Sequence, residues 1–138
     1  MTLGLFKIQN GRMICGILVI VDIILGGLAI FFPHFYVQIF HPNLETFPFD
    51  FIARTGVLWL IFALIQFIAM ISKNPKQWFF TVGLIRLMEV PADIVYGILA
   101  IGASLISRLM IFSAPILNFI IGIYLYLLSK NLDSKNDK

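Results

Sequence analysis

Four long apolar runs constrain this chain more than any other feature of its sequence. They cover residues 13–32, 51–71, 78–103 and 109–129, and about 20 apolar residues are enough for a helix to cross a hydrocarbon core of roughly 30 Å. Hydrophobic residues make up 60% of the chain and charged residues 12%, whereas a soluble domain is typically about half apolar and about a quarter charged. The sequence therefore predicts an integral membrane protein, and its 138 residues suit a single domain, 1–138.

The connections between the runs predict the arrangement of the helices. The last two connections are short, and short connections make consecutive helices antiparallel neighbours. The first connection, residues 33–50, contains Pro33, Pro42 and Pro48, which exclude a continuous helix, although its aromatic side chains suit a segment at the membrane surface. We expect an all-α fold, an antiparallel bundle of four transmembrane helices. A short extracytoplasmic interfacial helix near residues 35–40 should precede irregular chain, and residues 130–138 should form a polar tail.

Basic residues predict the orientation, because cytoplasmic segments of membrane proteins are enriched in Lys and Arg. With both termini in the cytoplasm, seven of these residues lie on that side and one, Arg108, lies outside. We expect the bacterial cytoplasmic (inner) membrane, with cytoplasmic N- and C-termini. The net charge of +3 follows from this distribution and forms no basic stripe, so no nucleic-acid partner is expected. Cys15 is the one cysteine, which excludes a membrane enzyme that needs a cysteine pair.

Three ionisable residues interrupt the third apolar run. Arg86 and Glu89 are three residues apart, and Glu89 and Asp93 are four apart, so a helix places all of them on one face. An ionisable side chain inside a membrane is costly, needs a partner and is by default a functional-site hypothesis. Pro91 lies between the two carboxylates and predicts a kink.

Depth in the membrane predicts how these residues pair. Counted at 1.5 Å per residue from the cytoplasmic end, Asp22 lies about 14 Å deep and Arg86 about 12 Å deep, so we predict that they form an ion pair. Arg54, near the outer end of the second run, can extend to the membrane surface or reach inward to Asp93. The fourth run adds a polar side chain at mid-depth, Asn118. The candidate ligand-binding or buried polar residues are Asp22, Arg54, Arg86, Glu89, Asp93 and Asn118.

The charges of this set leave three functions open. If every member is ionised, one carboxylate lacks a counter-charge and must meet a proton or a cation. The preferred hypothesis is a non-enzymatic accessory or scaffold subunit, whose polar residues fix helix packing and whose surface meets another membrane protein or a second copy. The second is a binding or transport protein with a carboxylate-lined pocket for a small amphipathic or lipid-like ligand. The third is a membrane enzyme that uses Glu89 and Asp93 as an acid–base pair.

Cofactors are not indicated by any motif. His34 and His41 are seven residues apart in the first connection, and a metal site needs more ligands in a suitable geometry. Neither histidine lies within an apolar run, which disfavours haem ligation. We therefore expect no metal and no cofactor, and we assign no catalytic residue.

One stretch of the second run resembles a known family. The sequence FIARTGVLWLIFALIQ places Arg54 and then Gly56 at the start of that run. Together with the plan of four helices in 138 residues, this stretch resembles the DoxX-like small bacterial membrane proteins. The resemblance implies a four-helix membrane protein and no particular site residue.

Overall fold

Five α-helices form the part of the chain that the computed structural model describes, residues 7–43, 48–100 and 103–133. The all-α prediction is confirmed. In chain order the helices are α1 (Ile8–Phe31), α2 (Pro33–Phe40), α3 (Phe49–Ile71), α4 (Lys76–Leu99) and α5 (Leu105–Asp133).

Three of these helices are long and apolar enough to cross a membrane: α1, α3 and the Leu105–Leu132 part of α5. α4 has 24 residues, which is long enough, but it does not meet the same criterion of composition. It carries Lys76, Arg86, Glu89 and Asp93, and charged side chains strongly oppose transfer into hydrocarbon. Pro91, where the kink is predicted, lies within α4.

Several helix ends differ from the predicted ends. α1 begins at Ile8 rather than residue 13, and α5 begins at Leu105 rather than 109, because backbone hydrogen bonding continues beyond the apolar residues. At α5, the Ser104 hydroxyl accepts a hydrogen bond from the Ser107 N–H at 3.0 Å, as an N-cap does. Residues 130–133 of the predicted tail are helical, and residues 134–138 lie outside the described residues.

A short helix is present where one was predicted, near residues 35–40; this helix, α2, starts two residues earlier, at Pro33. Proline suits the first turn of a helix because the N–H that it lacks would have no helical partner there. Of the irregular chain predicted after α2, residues 41–43 are non-helical, while residues 44–47 lie outside the described residues. Two hydrogen bonds hold the end of α2 to the start of α5: Ser104 N–H to Phe40 O at 3.2 Å and Ser104 Oγ to Ile39 O at 3.0 Å.

The four long helices are arranged as two tight pairs, α1 with α3 and α4 with α5. Each pair has a glycine-to-glycine contact. A Cβ atom added to Gly26 would lie 2.8 Å from the Gly56 carbonyl oxygen, and one added to Gly83 would lie 3.0 Å from the Gly122 carbonyl oxygen. Small residues at such positions allow helix backbones to approach closely, which is the usual basis of helix association in membranes.

The two pairs share a hydrophobic core at one end of the molecule, near the connection between α3 and α4. All four long helices contribute to this core, which consists of Cys15, Leu18, Ala69, Phe79, Val82, Leu125 and Leu128. At the opposite end, which we call the α2 end, α1 leads into α2, α3 begins and α4 finishes. The α2 end is where a cavity separates α3 from α4.

Candidate functional site

Arg86 is the centre of a buried polar network between the two helix pairs. Its side chain is 5% exposed. Nη2 donates to Asp22 Oδ2 at 2.5 Å, and Nη1 donates to Glu89 Oε2 at 2.7 Å. The predicted ion pair between Asp22 and Arg86 is confirmed, and it links α1 to α4.

Gln66 also belongs to this network, although it was not among the candidate residues. It is 1% exposed, and its Nε2 donates to the same Asp22 oxygen at 2.8 Å. The Asp22 carboxylate therefore receives donors from α3 and from α4. Charge-assisted hydrogen bonds of this kind are roughly twice as strong as bonds between neutral groups. A signal was available, since a neutral amide deep in an apolar run also needs a partner.

A second polar contact links α4 to α5. Asn118 Nδ2 donates to Asp93 Oδ2 at 2.8 Å, so these two predicted residues do come together. Asp93 lies one helical turn beyond Glu89 on the same face of α4. The two carboxylates are thus held by different neighbours, Glu89 by Arg86 and Asp93 by Asn118.

Arg54 takes the outward of its two predicted positions. It is exposed on α3, and Asp93 bonds to Asn118 instead. The structure therefore brings together five of the six candidate residues and leaves Arg54 outside the network.

A cavity of about 630 Å³ lies between α3 and α4 at the α2 end. Apolar and aromatic side chains form most of its wall, among them Trp59 and Phe62 from α3 and Met88 from α4. Glu89 and Asp93 are the two carboxylates of that wall. The volume falls in the range of roughly 300–1,000 Å³ that is usual for small-molecule sites, which are mostly apolar with a few placed polar groups.

The α2 end of the cavity is bounded by side chains that the sequence did not single out as a site. His41 is 4% exposed, and its Nε2 is hydrogen-bonded to the Tyr96 hydroxyl. Burial lowers the pKa of His41, because desolvation disfavours the imidazolium form. The Tyr36 ring lies 6.1 Å from the Trp59 ring, and burial raises the pKa of the Tyr36 hydroxyl. Both groups at this boundary therefore favour their neutral forms.

Each cavity carboxylate uses one oxygen in the protein's own hydrogen bonds. Glu89 Oε2 accepts from Arg86, and Asp93 Oδ2 accepts from Asn118. Among the described residues, Glu89 Oε1 and Asp93 Oδ1 have no hydrogen-bond donor. Residues 7–43, 48–100 and 103–133 contain no group of three or more His, Cys, Asp and Glu side chains that could hold a metal ion. The site can therefore present two carboxylate oxygens to an organic donor.

Comparisons with known proteins do not assign this arrangement. No protein-family model matches the sequence, and neither a curated protein nor a solved structure shows significant similarity to it. The resemblance to DoxX-like proteins thus stays a prediction, and function has to be inferred from the geometry of this chain's own residues.

Proposed function

We propose that this chain is an integral membrane protein that binds a small amphipathic, lipid-like molecule between α3 and α4. The observation that carries the proposal is the cavity of about 630 Å³ with an apolar wall and two carboxylates, Glu89 and Asp93. A hydrocarbon chain would bury its apolar surface there, which is the main favourable term in such binding. A polar head would lie against the carboxylates.

The proposal includes α4 as a fourth membrane span, in an antiparallel four-helix bundle. At 1.5 Å per residue its 24 residues extend about 36 Å, more than a hydrocarbon core of roughly 30 Å. Its central charges have internal partners: Arg86 pairs with Asp22 and Glu89, and Asp93 bonds to Asn118. Charged residues within membrane spans almost always face the protein interior and pair in this way. We further propose the bacterial cytoplasmic membrane, with both termini cytoplasmic and α2 on the outer surface.

We propose binding of a small molecule in place of the accessory or scaffold role that the sequence favoured. A packing role accounts for the contacts of Arg86 with Asp22 and Glu89. It gives no reason for an apolar cavity beside them. An acid–base role for Glu89 and Asp93 would need a substrate in the same cavity, so occupancy is the first property to test.

Filling the cavity tests the proposal. Ala92 is exposed on α4 and lines the cavity, so Ala92→Trp should occupy the space that a ligand needs. We expect the unaltered protein, purified from membranes in mild detergent, to retain an amphipathic molecule that solvent extraction and mass spectrometry detect. Ala92→Trp should retain much less of it.

The matched control is Ile98→Trp, which places the same side chain at a position on α4 that is 77% exposed and does not line the cavity. This variant should retain the molecule as the unaltered protein does. Equal retention by both tryptophan variants, with both proteins folded by circular dichroism, would show that the cavity is not the binding site.

A further inference from the structure

We infer that the ligand of this cavity is a primary-amine amphiphile, held by its ammonium group between Glu89 and Asp93. The inference rests on the proposed function and specifies the chemistry of the ligand's head. Its starting point is the sign of the charges at the cavity wall. Of the described residues that line the cavity, two are carboxylates and none is a lysine or an arginine.

Arg86 does not change that sign for a ligand, although it lies close to Glu89. Its two Nη atoms are engaged by Asp22 and Glu89, and Arg86 is not among the residues that line the cavity. With Asp22, Glu89 and Asp93 ionised, the single charge of Arg86 balances one carboxylate, so the site keeps two net negative charges. An anionic head would meet two carboxylates at a wall that has no lysine or arginine among its described residues, and repulsion would disfavour its binding.

Hydrogen-bonding capacity also favours an ammonium group. The group has three donors and no acceptor. Glu89 Oε1 and Asp93 Oδ1 have no donor among the described residues, and Thr55 and Tyr96 add hydroxyl oxygens to the same wall. The wall therefore offers several acceptors to an ammonium group, whereas a hydroxyl head has only one donor with which to use them.

The remaining wall suits the rest of such a molecule. Tyr36 and Trp59 line the cavity, and aromatic faces attract a cation within about 6 Å of the ring centroid. The apolar residues, such as Phe62 and Met88, would cover an alkyl chain. A bare metal ion would leave this apolar surface without a partner, so the occupant has both a cationic head and a hydrocarbon tail.

A set of probes with one chain length tests the inference: dodecylamine, dodecanol and dodecanoate. The chain has two tryptophans, and one of them, Trp59, lines the cavity. In a Trp78→Phe background, the fluorescence of Trp59 reports binding in nanodiscs at pH 7. We expect dodecylamine to bind at least about tenfold more tightly than dodecanol, because hydrogen bonds that involve charged groups are stronger than those between neutral groups. Dodecanoate should bind least well.

Asp93→Asn should reduce the preference for the amine over the alcohol severalfold, because only one of the two carboxylates at the cavity wall, Glu89, would remain. The matched control is Asp50→Asn, which neutralises an exposed carboxylate of α3 that does not line the cavity. This variant should keep the full preference. If Asp93→Asn does not fold, the binding of the three probes to the Trp78→Phe protein still tests the preference for an amine.

Each outcome separates this inference from the proposed function. Equal binding of the three probes at Trp59 would overturn the amine inference and leave the binding function in place. Tighter binding of dodecanoate would do the same. If no probe changes Trp59 fluorescence or binds to the protein, both the inference and the proposed function are wrong.

Discussion

Arg86 contacts two carboxylates at once, and one of these contacts joins α4 to α1. Asp22 belongs to α1 and Glu89 to α4 itself, and both contacts are 2.7 Å or shorter. Removing one partner from a buried ion pair typically costs about 3–5 kcal/mol, because a charge is left without compensation. Loss of the guanidinium would leave two carboxylates in that state.

We expect Arg86→Met to lower the free energy of unfolding by about 3 kcal/mol or more, measured by thermal or denaturant unfolding in detergent micelles. The control is Arg54→Met, which removes the same group from an exposed position on α3 and should change stability by less than about 0.5 kcal/mol. The double variant Asp22→Asn/Arg86→Met has one stranded carboxylate fewer and should recover part of the loss. Equal stability of the two single variants would contradict the central role of Arg86.

The part of the site that could be predicted from the sequence is the ion pair between oppositely charged residues. Depth counting brought Asp22 and Arg86 to one level, and opposite charges in an apolar medium must meet. Gln66 has no charge that demands a partner, so the sequence did not select it. The contact between His41 and Tyr96 joins the residue after α2 to a residue of α4 far away in the sequence, and no local pattern encodes it.

At the scale of the helices, association within each pair depends on the absence of side chains. A Cβ atom on Gly56 would lie 2.8 Å from Ile30 Cγ1 and 2.9 Å from the Gly26 carbonyl oxygen. These distances are below those of ordinary contacts, so a larger residue would push α1 away from α3. Overpacking of this kind costs typically about 1–3 kcal/mol.

We expect Gly56→Leu to destabilise the protein by about 1–3 kcal/mol or more, because the Gly26 backbone cannot move aside without bending α1. The control is Gly27→Leu. Gly27 follows Gly26 in α1, and a Cβ atom added to Gly27 meets nothing within 4 Å. That variant should be as stable as the unaltered protein in the same detergent. A loss of stability of the same size in both variants would mean that the close contact at Gly56 is not its cause, since leucine has a higher helix propensity than glycine.

The helices themselves were more predictable than their arrangement. Four long apolar runs indicated α1, α3, α4 and α5, and the prolines and aromatic residues of the first connection indicated α2. The short connection of residues 72–75 predicted that α3 and α4 would be close neighbours. They are apart at the α2 end, because the close glycine contacts bind α3 to α1 and α4 to α5 instead. Those contacts join residues distant in sequence, which a reading of local periodicity does not detect.

At the scale of the whole molecule, the open question is the number of membrane crossings: three helices meet the criteria for a span, and we propose α4 as the fourth. The surface agrees with a surrounding of lipid, since large apolar side chains are exposed along α1, α3 and α5, such as Met13, Leu64 and Leu109. A patch of this extent is unusual for a soluble monomer. Arg86, Glu89 and Asp93 have partners inside the protein, and α4 adds further exposed apolar side chains away from the cavity, including Ile98 and Leu99.

Single cysteines in a Cys15→Ala background test the crossings. The sites are Asn43, in the turn after α2, Lys73, between α3 and α4, and Leu105, at the start of α5, all of them exposed. With right-side-out vesicles, we expect a membrane-impermeant maleimide to label Asn43→Cys and Leu105→Cys but not Lys73→Cys. Inside-out vesicles should give the reverse pattern. Labelling of Leu105→Cys together with Lys73→Cys would show that α4 does not cross the membrane.

The shared core at one end of two stiff helix pairs has a mechanical consequence. Measured from the core residue Val82 to its end at Leu99, α4 extends about 26 Å at 1.5 Å per residue. With the core as the pivot, a rotation of about 5° between the pairs would displace their far ends by roughly 2 Å. The glycine contacts lie within each pair and are untouched by that rotation, whereas the contacts of His41 with Tyr96 and of Ser104 with α2 would resist it. In the membrane arrangement proposed above, a change in bilayer thickness that tilts one pair should therefore alter the cavity at the α2 end more than the core.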